Sequence, residues 1–161
     1  MTIILTVTGV VAAVLVLVVA SLAYLSLTAR RPADLGLHDG RLRPCPSSPN
    51  CVSSQAKDDS RRVEPLGFEG SGEQAWRRLR QVLEGMDRVE IITDTGRYLH
   101  AEFTMPLFRF RDDVEFQLRP EASVIDLRSA SRVGWYDLGV NRSRAQKLAE
   151  AWRAERPGAS R

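Results

Sequence analysis

The heptapeptide Cys45–Cys51 (CPSSPNC) puts both cysteines of the chain, two prolines and three small polar residues into seven positions. The spacing C-x5-C is not the C-x-x-C of thioredoxin-like redox sites. Only two histidines accompany the cysteines, His38 and His100, so a zinc site is short of ligands. Three chemistries remain: a structural disulfide, two buried free thiols, or a reactive redox pair. A disulfide closing so short a loop adds about 2 to 3 kcal/mol by the loop-entropy argument. The prolines stiffen the open chain and lower that gain.

A second group lies between Arg128 and Arg142, where Arg128, Ser131, Arg132, Asp137, Asn141 and Arg142 fall within fifteen positions ahead of a helix. Guanidinium forks and the free N–H groups of a helix start both favour an anion. The same residues also suit a packed loop that pairs with Asp112 and Asp113. Asn50 and Ser53, in and beside the cysteine knot, complete the binding candidates. A Ser131, His100, Asp137 triad can be drawn on paper, but no G-x-S-x-G supports it and His100 falls inside a strand pattern. Asp112 and Asp113 are adjacent, so in a strand they face opposite ways. No metal-ligand set, glycine-rich phosphate loop or cofactor motif is visible.

These groups need a scaffold, and the sequence supplies one behind an apolar leader. No charged side chain occurs from Met1 to Ala29, and Ile3–Leu27 would form a helix of roughly 37 Å at ~1.5 Å per residue, enough for a ~30 Å hydrocarbon core. A domain of this size cannot surround such a helix. The lack of a positive n-region, and an apolar run longer than a signal peptide's h-region needs, favour a retained anchor over a cleaved signal peptide. Arg30 and Arg31 after the span argue for a cytoplasmic domain. The cysteine pair argues for an oxidising compartment instead.

Residues 30–43 carry Pro, two Gly and several charges and read as a linker; the domain then spans 44–156, with 157–161 a disordered tail. Ser71 and Gln74 fit a capping box before a helix with Ala75, Trp76, Leu79, Val82 and Leu83 on one stripe. Residues 88–93 and 97–104 flank Asp94-Thr95-Gly96 as one hairpin, and 113–119 with 124–129 form another. In the second, the alternation predicts Glu115 beside Arg128 and Gln117 beside Asp126, on a charged outer face. Ser129–Gly139 is too rich in Ser and Gly for a strand, and Asn141 is placed to cap a last helix through Leu148 and Trp152. The expected fold is α+β, a four-stranded antiparallel sheet with flanking helices behind one transmembrane helix.

The charge of +3 is mild, and 21 of the 23 basic residues are Arg. They are interspersed with 20 acids rather than gathered in a stripe, which speaks against a nucleic-acid partner.

Several stretches resemble the DUF1499 family, proteins of unknown function from bacteria and plastid-bearing eukaryotes. They are Leu35–Leu37 with Gly40–Leu42, CPSSPNCVSSQA from Cys45, DDVEF from Asp112, and RSASRVGWYDLGVNRSR from Arg128. The Trp135-Tyr136 pair departs from the family's usual smaller second residue. The resemblance implies an N-terminal signal or anchor and a domain outside the cytoplasm, on the periplasmic side of a bacterial inner membrane. It implies no activity. The expected function is binding of an acidic lipid, glycan or protein by Arg128, Arg132 and Arg142. The alternatives are an envelope hydrolase using Ser131 or Ser53 with Asp137 or Asp113, and a structural assembly module with Trp135 and Phe108 in an exposed apolar patch.

Overall fold

A computed structural model describes residues 2–106 and 108–155; Leu107 and the expected tail at 157–161 lie outside the described residues. The first element, α1 (Thr2–Thr28), is long and apolar enough to cross a membrane, with mean hydropathy 2.7 over its most apolar window. Two of its hydroxyls bond back onto the helix, Thr8 and Thr28 donating to Ile4 O and Tyr24 O at 2.9 and 2.8 Å. That satisfies them without water.

The remaining elements are β1 (Leu37–His38), β2 (Arg41–Leu42), β3 (Cys51–Ser53), β4 (Leu66–Gly67), α2 (Gly72–Glu84), β5 (Val89–Asp94), β6 (Tyr98–Thr104), β7 (Arg111–Arg119), β8 (Val124–Ser131) and α3 (Val140–Ala154). The sheet has six strands, not the four expected: β3-β8-β7-β6-β5 in order, with β4 also paired to β8. The two extra strands, three and two residues long, are too short to show alternation and lie along the edge of β8. The β7–β8 register is the predicted one, Glu115 opposite Arg128 and Gln117 opposite Asp126. β8 continues to Ser131 despite its serines, because Cys51 pairs with Ala130 on one side and Asp112 with Ser131 on the other. Cross-strand partners outweigh intrinsic propensity there.

One sheet face is apolar. Leu99, Phe103, Val114, Phe116, Ile125 and Leu127 pack under α2 and α3. Ser71 caps α2 by accepting from Gln74 N at 3.2 Å. The two core indoles spend their N–H groups locally, Trp76 on Asp94 Oδ1 and Trp152 on Gly67 O.

The opposite face carries Tyr98, His100, Glu102, Asp113, Glu115, Gln117, Asp126 and Arg128. It is charged, as alternation demands, but it does not face water: all of these except the half-buried Tyr98 are buried. The segment 31–43, expected to be a linker, lies across it. Gly36 N donates to Glu115 Oε1 (2.9 Å), Gln117 Nε2 to Gly40 O (2.6 Å), and Leu42 N to Gln55 Oε1 (3.0 Å). Gln55 in turn donates to Gln117 and Asp126, and Ser54 to Asp126.

Candidate functional site

The knot is a disulfide, Cys45–Cys51, with Cα atoms 5.6 Å apart. Its proline-rich loop is fastened to the Arg-rich segment through Asn50. The Asn50 side chain accepts from Ser48 Oγ (2.7 Å) and donates to Gly134 O (2.7 Å); its carbonyl accepts from Ser131 N (3.1 Å) and Asn141 Nδ2 (2.9 Å). The two motif segments therefore meet at the β3–β8 edge of the sheet.

Asn141 is fully buried and does not cap α3 as expected. Gly139 holds the N-cap position, and Asp137, two residues earlier, accepts from Asn141 N in the first turn at 2.9 Å and from Gly139 N at 3.0 Å. Burial alone would raise the Asp137 pKa, yet those backbone N–H groups and the Asn141 amide hold it below the ordinary carboxylate value. Freed from the cap, the Asn141 side chain knits four elements. It accepts from Ser129 Oγ (2.6 Å) and Arg144 Nη1 (2.7 Å), and donates to Ser131 Oγ and Asp137 besides Asn50 O. Arg144 also bonds Asp112, which joins α3 to β7. Sequence reasoning missed Arg144; its signal is the i, i+3 spacing from Asn141 on the inward face of α3.

On the roofed face, Arg128 Nη1 donates to Glu115 Oε2 at 2.8 Å, the two side chains 2% and 0% exposed. The other Glu115 oxygen accepts from Tyr98 OH at 2.9 Å. Burial, then the Glu115 charge, push the Tyr98 pKa well above its ordinary value. Arg132 reaches both Asp113 oxygens (2.9 and 2.6 Å) and Glu102 Oε1 (2.5 Å). His100 Nε2 lies 2.7 Å from Asp113 Oδ1.

The paper triad does not assemble. Ser131 is on the helix side of the sheet with Asn141, while His100 is on the roofed side with Asp113. Ser53 Oγ accepts from Gln55 N at 3.1 Å, and among the described residues no base is bonded to it. Ligand atoms of His100, Glu102 and Asp113 do converge within 4.8 Å, the one potential metal set among the described residues. The Arg132 guanidinium bonds both carboxylates, so a side chain already supplies the cation there.

Open solvent-facing space lies instead beside the knot. A cleft of about 640 Å³ runs between the β1–β2 hairpin and the loop 56–61, and Arg41, Arg43, Lys57 and Arg61 line it against Asp39 and Asp58. Arg61 props its wall by donating to Ser47 O and Pro46 O. Arg142 is half-buried, and it too is a brace, donating to Arg62 O (2.9 Å) and Ser60 O (2.5 Å). Of the ten residues expected to bind, only Ser53 lines this cleft; the others are engaged in hydrogen bonds and ion pairs within the domain.

A comparison with curated proteins finds no match. The family model for DUF1499, described as a protein of unknown function, matches residues 41–152, which include the knot, the six-stranded sheet and most of α3. The chain belongs to the DUF1499 family.

Proposed function

We propose that this chain is a membrane-anchored binding protein of the bacterial envelope, with α1 in the inner membrane and its domain on the periplasmic side, and that it captures an acidic group. The observation that carries the reading is the cleft beside the knot, with four cationic side chains against two carboxylates. Arg43 and Arg61 are already paired with Asp34 and Asp58, which leaves Arg41 and Lys57 as the contacts an incoming phosphate or carboxylate would find. Arg128 and Arg132 hold the sheet face together beneath, and Arg142 braces the loop that forms the far wall. The Cys45–Cys51 disulfide supports the oxidising side of the membrane. A hydrolase reading has weaker support, because the Ser131 hydroxyl is engaged by the Asn141 amide.

Binding is tested with the full chain in phosphatidylcholine nanodiscs titrated with inorganic phosphate. The Arg41→Ala/Lys57→Ala pair is expected to weaken binding about tenfold or more, the scale of one lost charge-assisted hydrogen bond. Equal affinity in both proteins would overturn the cleft assignment. Thiol labelling of intact cells, with and without reductant, tests the compartment: labelling by an impermeant reagent only after reduction is the expected result.

A further inference from the structure

Three large apolar side chains stand in solvent within four residues. Trp135 is 68% exposed, Tyr136 64% and Leu138 88%, in a domain whose other indoles are buried. The loop that presents them is held in shape. Asn50 Nδ2 grips Gly134 O, the Asp137 carboxylate grips Gly139 N and Asn141 N, and Gly134, Leu138 and Gly139 take left-handed backbone conformations (φ 88°, 52° and 80°). A leucine at positive φ is strained, and here the strain turns an apolar side chain outward. A soluble protein gains nothing from a fixed loop that keeps these side chains wet.

The position of the loop identifies what covers it. Arg31, three residues past the end of α1, donates to Glu102 Oε1 at 2.6 Å, and Arg132, three residues before Trp135, donates to the same oxygen. Three residues of backbone extend at most about 10 Å, so the exit of α1 and the aromatic loop leave one shared carboxylate by short tethers. The β6–β7 connection emerges at the same end of the sheet, where Arg111 pairs with Glu102 and Arg109 is exposed. With exposed Arg30 and Arg31, this end of the domain combines indole, phenol, leucine and several guanidinium groups. Indole and phenol rings favour the headgroup layer, with the ring against acyl chains and the N–H or O–H in water. Guanidinium groups beside them suit anionic headgroups.

We propose that Trp135, Tyr136 and Leu138 lie in the interfacial layer of the bilayer that α1 crosses, so the domain rests on the lipid surface by this loop instead of swinging on a tether. The proposal depends on the membrane reading of α1 and is independent of the anion cleft. It orients the molecule: the Glu102 end of the sheet faces lipid.

The test uses the full chain in nanodiscs whose lipids are brominated on the upper acyl carbons. The chain has three tryptophans, and Trp76 and Trp152 are buried at 5% and 2% exposure, which leaves Trp135 as the indole that lipid can reach. The expected result is blue-shifted emission quenched by brominated lipid, with the quenching lost in Trp135→Phe. A wild-type chain retained in the discs but unquenched, or quenched equally in Trp135→Phe, would overturn the proposal and leave Trp135 free for a protein partner. A chain that fails to co-migrate with discs would remove the membrane reading itself, and the loop assignment with it. Trp135→Phe changes an exposed ring, so its fold should match wild type by circular dichroism.

Discussion

Arg128 and Glu115 face each other across β7 and β8 with Nη1 and Oε2 2.8 Å apart, and neither is in contact with bulk water. Two dehydrated charges attract strongly but pay heavily for leaving solvent, so the pair makes the fold intolerant of losing one member more than it adds net stability. Glu115→Ala strands a buried guanidinium and deprives Tyr98 OH and Gly36 N of their acceptor. The expected loss is about 3 to 5 kcal/mol. The Glu115→Leu/Arg128→Met double variant should recover most of it. Chemical denaturation of wild type, Glu115→Leu, Arg128→Met and the double variant gives the coupling, and additive losses would contradict the pairing.

The second prediction concerns acid. Burial alone would raise the pKa of Asp113 and of Glu102. Arg132 and His100 at Asp113, and Arg132 and Arg31 at Glu102, more than offset it and hold both below their ordinary values. A carboxyl with a lower pKa folded than unfolded contributes stability that is complete above the unfolded value, about 4, and is lost as pH falls through the folded value. The denaturation midpoint should stay flat from about pH 7 to 5 and drop below about 4. In Arg132→Met the buried carboxyls lose their guanidinium and burial prevails, so their folded pKa rises above the unfolded one; the variant should be less stable than wild type near pH 7, and its loss of stability below about pH 4 should shrink or reverse. Identical profiles would refute the role given to Arg132.

How far the sequence foretold this arrangement depends on how long each signal is. The pairs Glu115–Arg128 and Gln117–Asp126 were legible, because seven-residue alternation fixes faces and directly opposed residues must share one. The Ser71 cap was legible for a similar reason, a local hydrogen bond spelled by two residue types. Strands β3 and β4 were not, since two or three residues carry no period. Nor was the burial of the charged face. An alternating antiparallel hairpin normally leaves its polar side wet, and the segment that covers it docks through Gly36 N, Gly40 O and Leu42 N, backbone groups every sequence possesses. Arg128 and Arg132 accordingly read as ligand contacts when they are internal partners of acids.

Asn141 joins Asn50 before β3, β8, the 132–139 loop and α3 through five side-chain polar contacts, the three made by Nδ2 sharing its two hydrogens. Asn141→Ala leaves several buried partners unsatisfied and should cost about 2 to 4 kcal/mol. Asp137→Ala removes the acceptor of Gly139 N and of the first-turn Asn141 N, for about 1 kcal/mol. Since Asn141 Nδ2 donates to Asp137 Oδ2 at 2.8 Å, the double variant should lose less than the sum. Asn141→Asp separates shape from hydrogen bonding: it keeps the acceptor for Ser129 and Arg144 but turns an oxygen toward Asn50 O and the Asp137 carboxylate, so it should destabilise despite equal size. Thermal unfolding that leaves Asn141→Asp equal to wild type would show that the amide donor is unimportant.

The Cys45–Cys51 bond closes a loop of sequence separation 6 that already contains Pro46 and Pro49. Its cross-link therefore removes little freedom from the unfolded chain, and the Cys45→Ser/Cys51→Ser variant should lose only about 2 to 3 kcal/mol, toward the lower figure. The local consequence should be larger than the global one. Asn50 sits inside the loop and holds Gly134 O, Ser131 N and the Asn141 side chain, so opening it loosens the β3–β8 edge and the Pro46 and Ser47 carbonyls on which Arg61 leans. Hydrogen exchange should rise first at Ser131 N, whose partner is Asn50 O, while Phe116 and Leu127 in the β7–β8 core stay protected. Reductant should reproduce both effects in wild type and change nothing in the double-serine variant. Uniform loss of protection across the core would instead mean that the bond holds the whole domain together, against the small loop it closes.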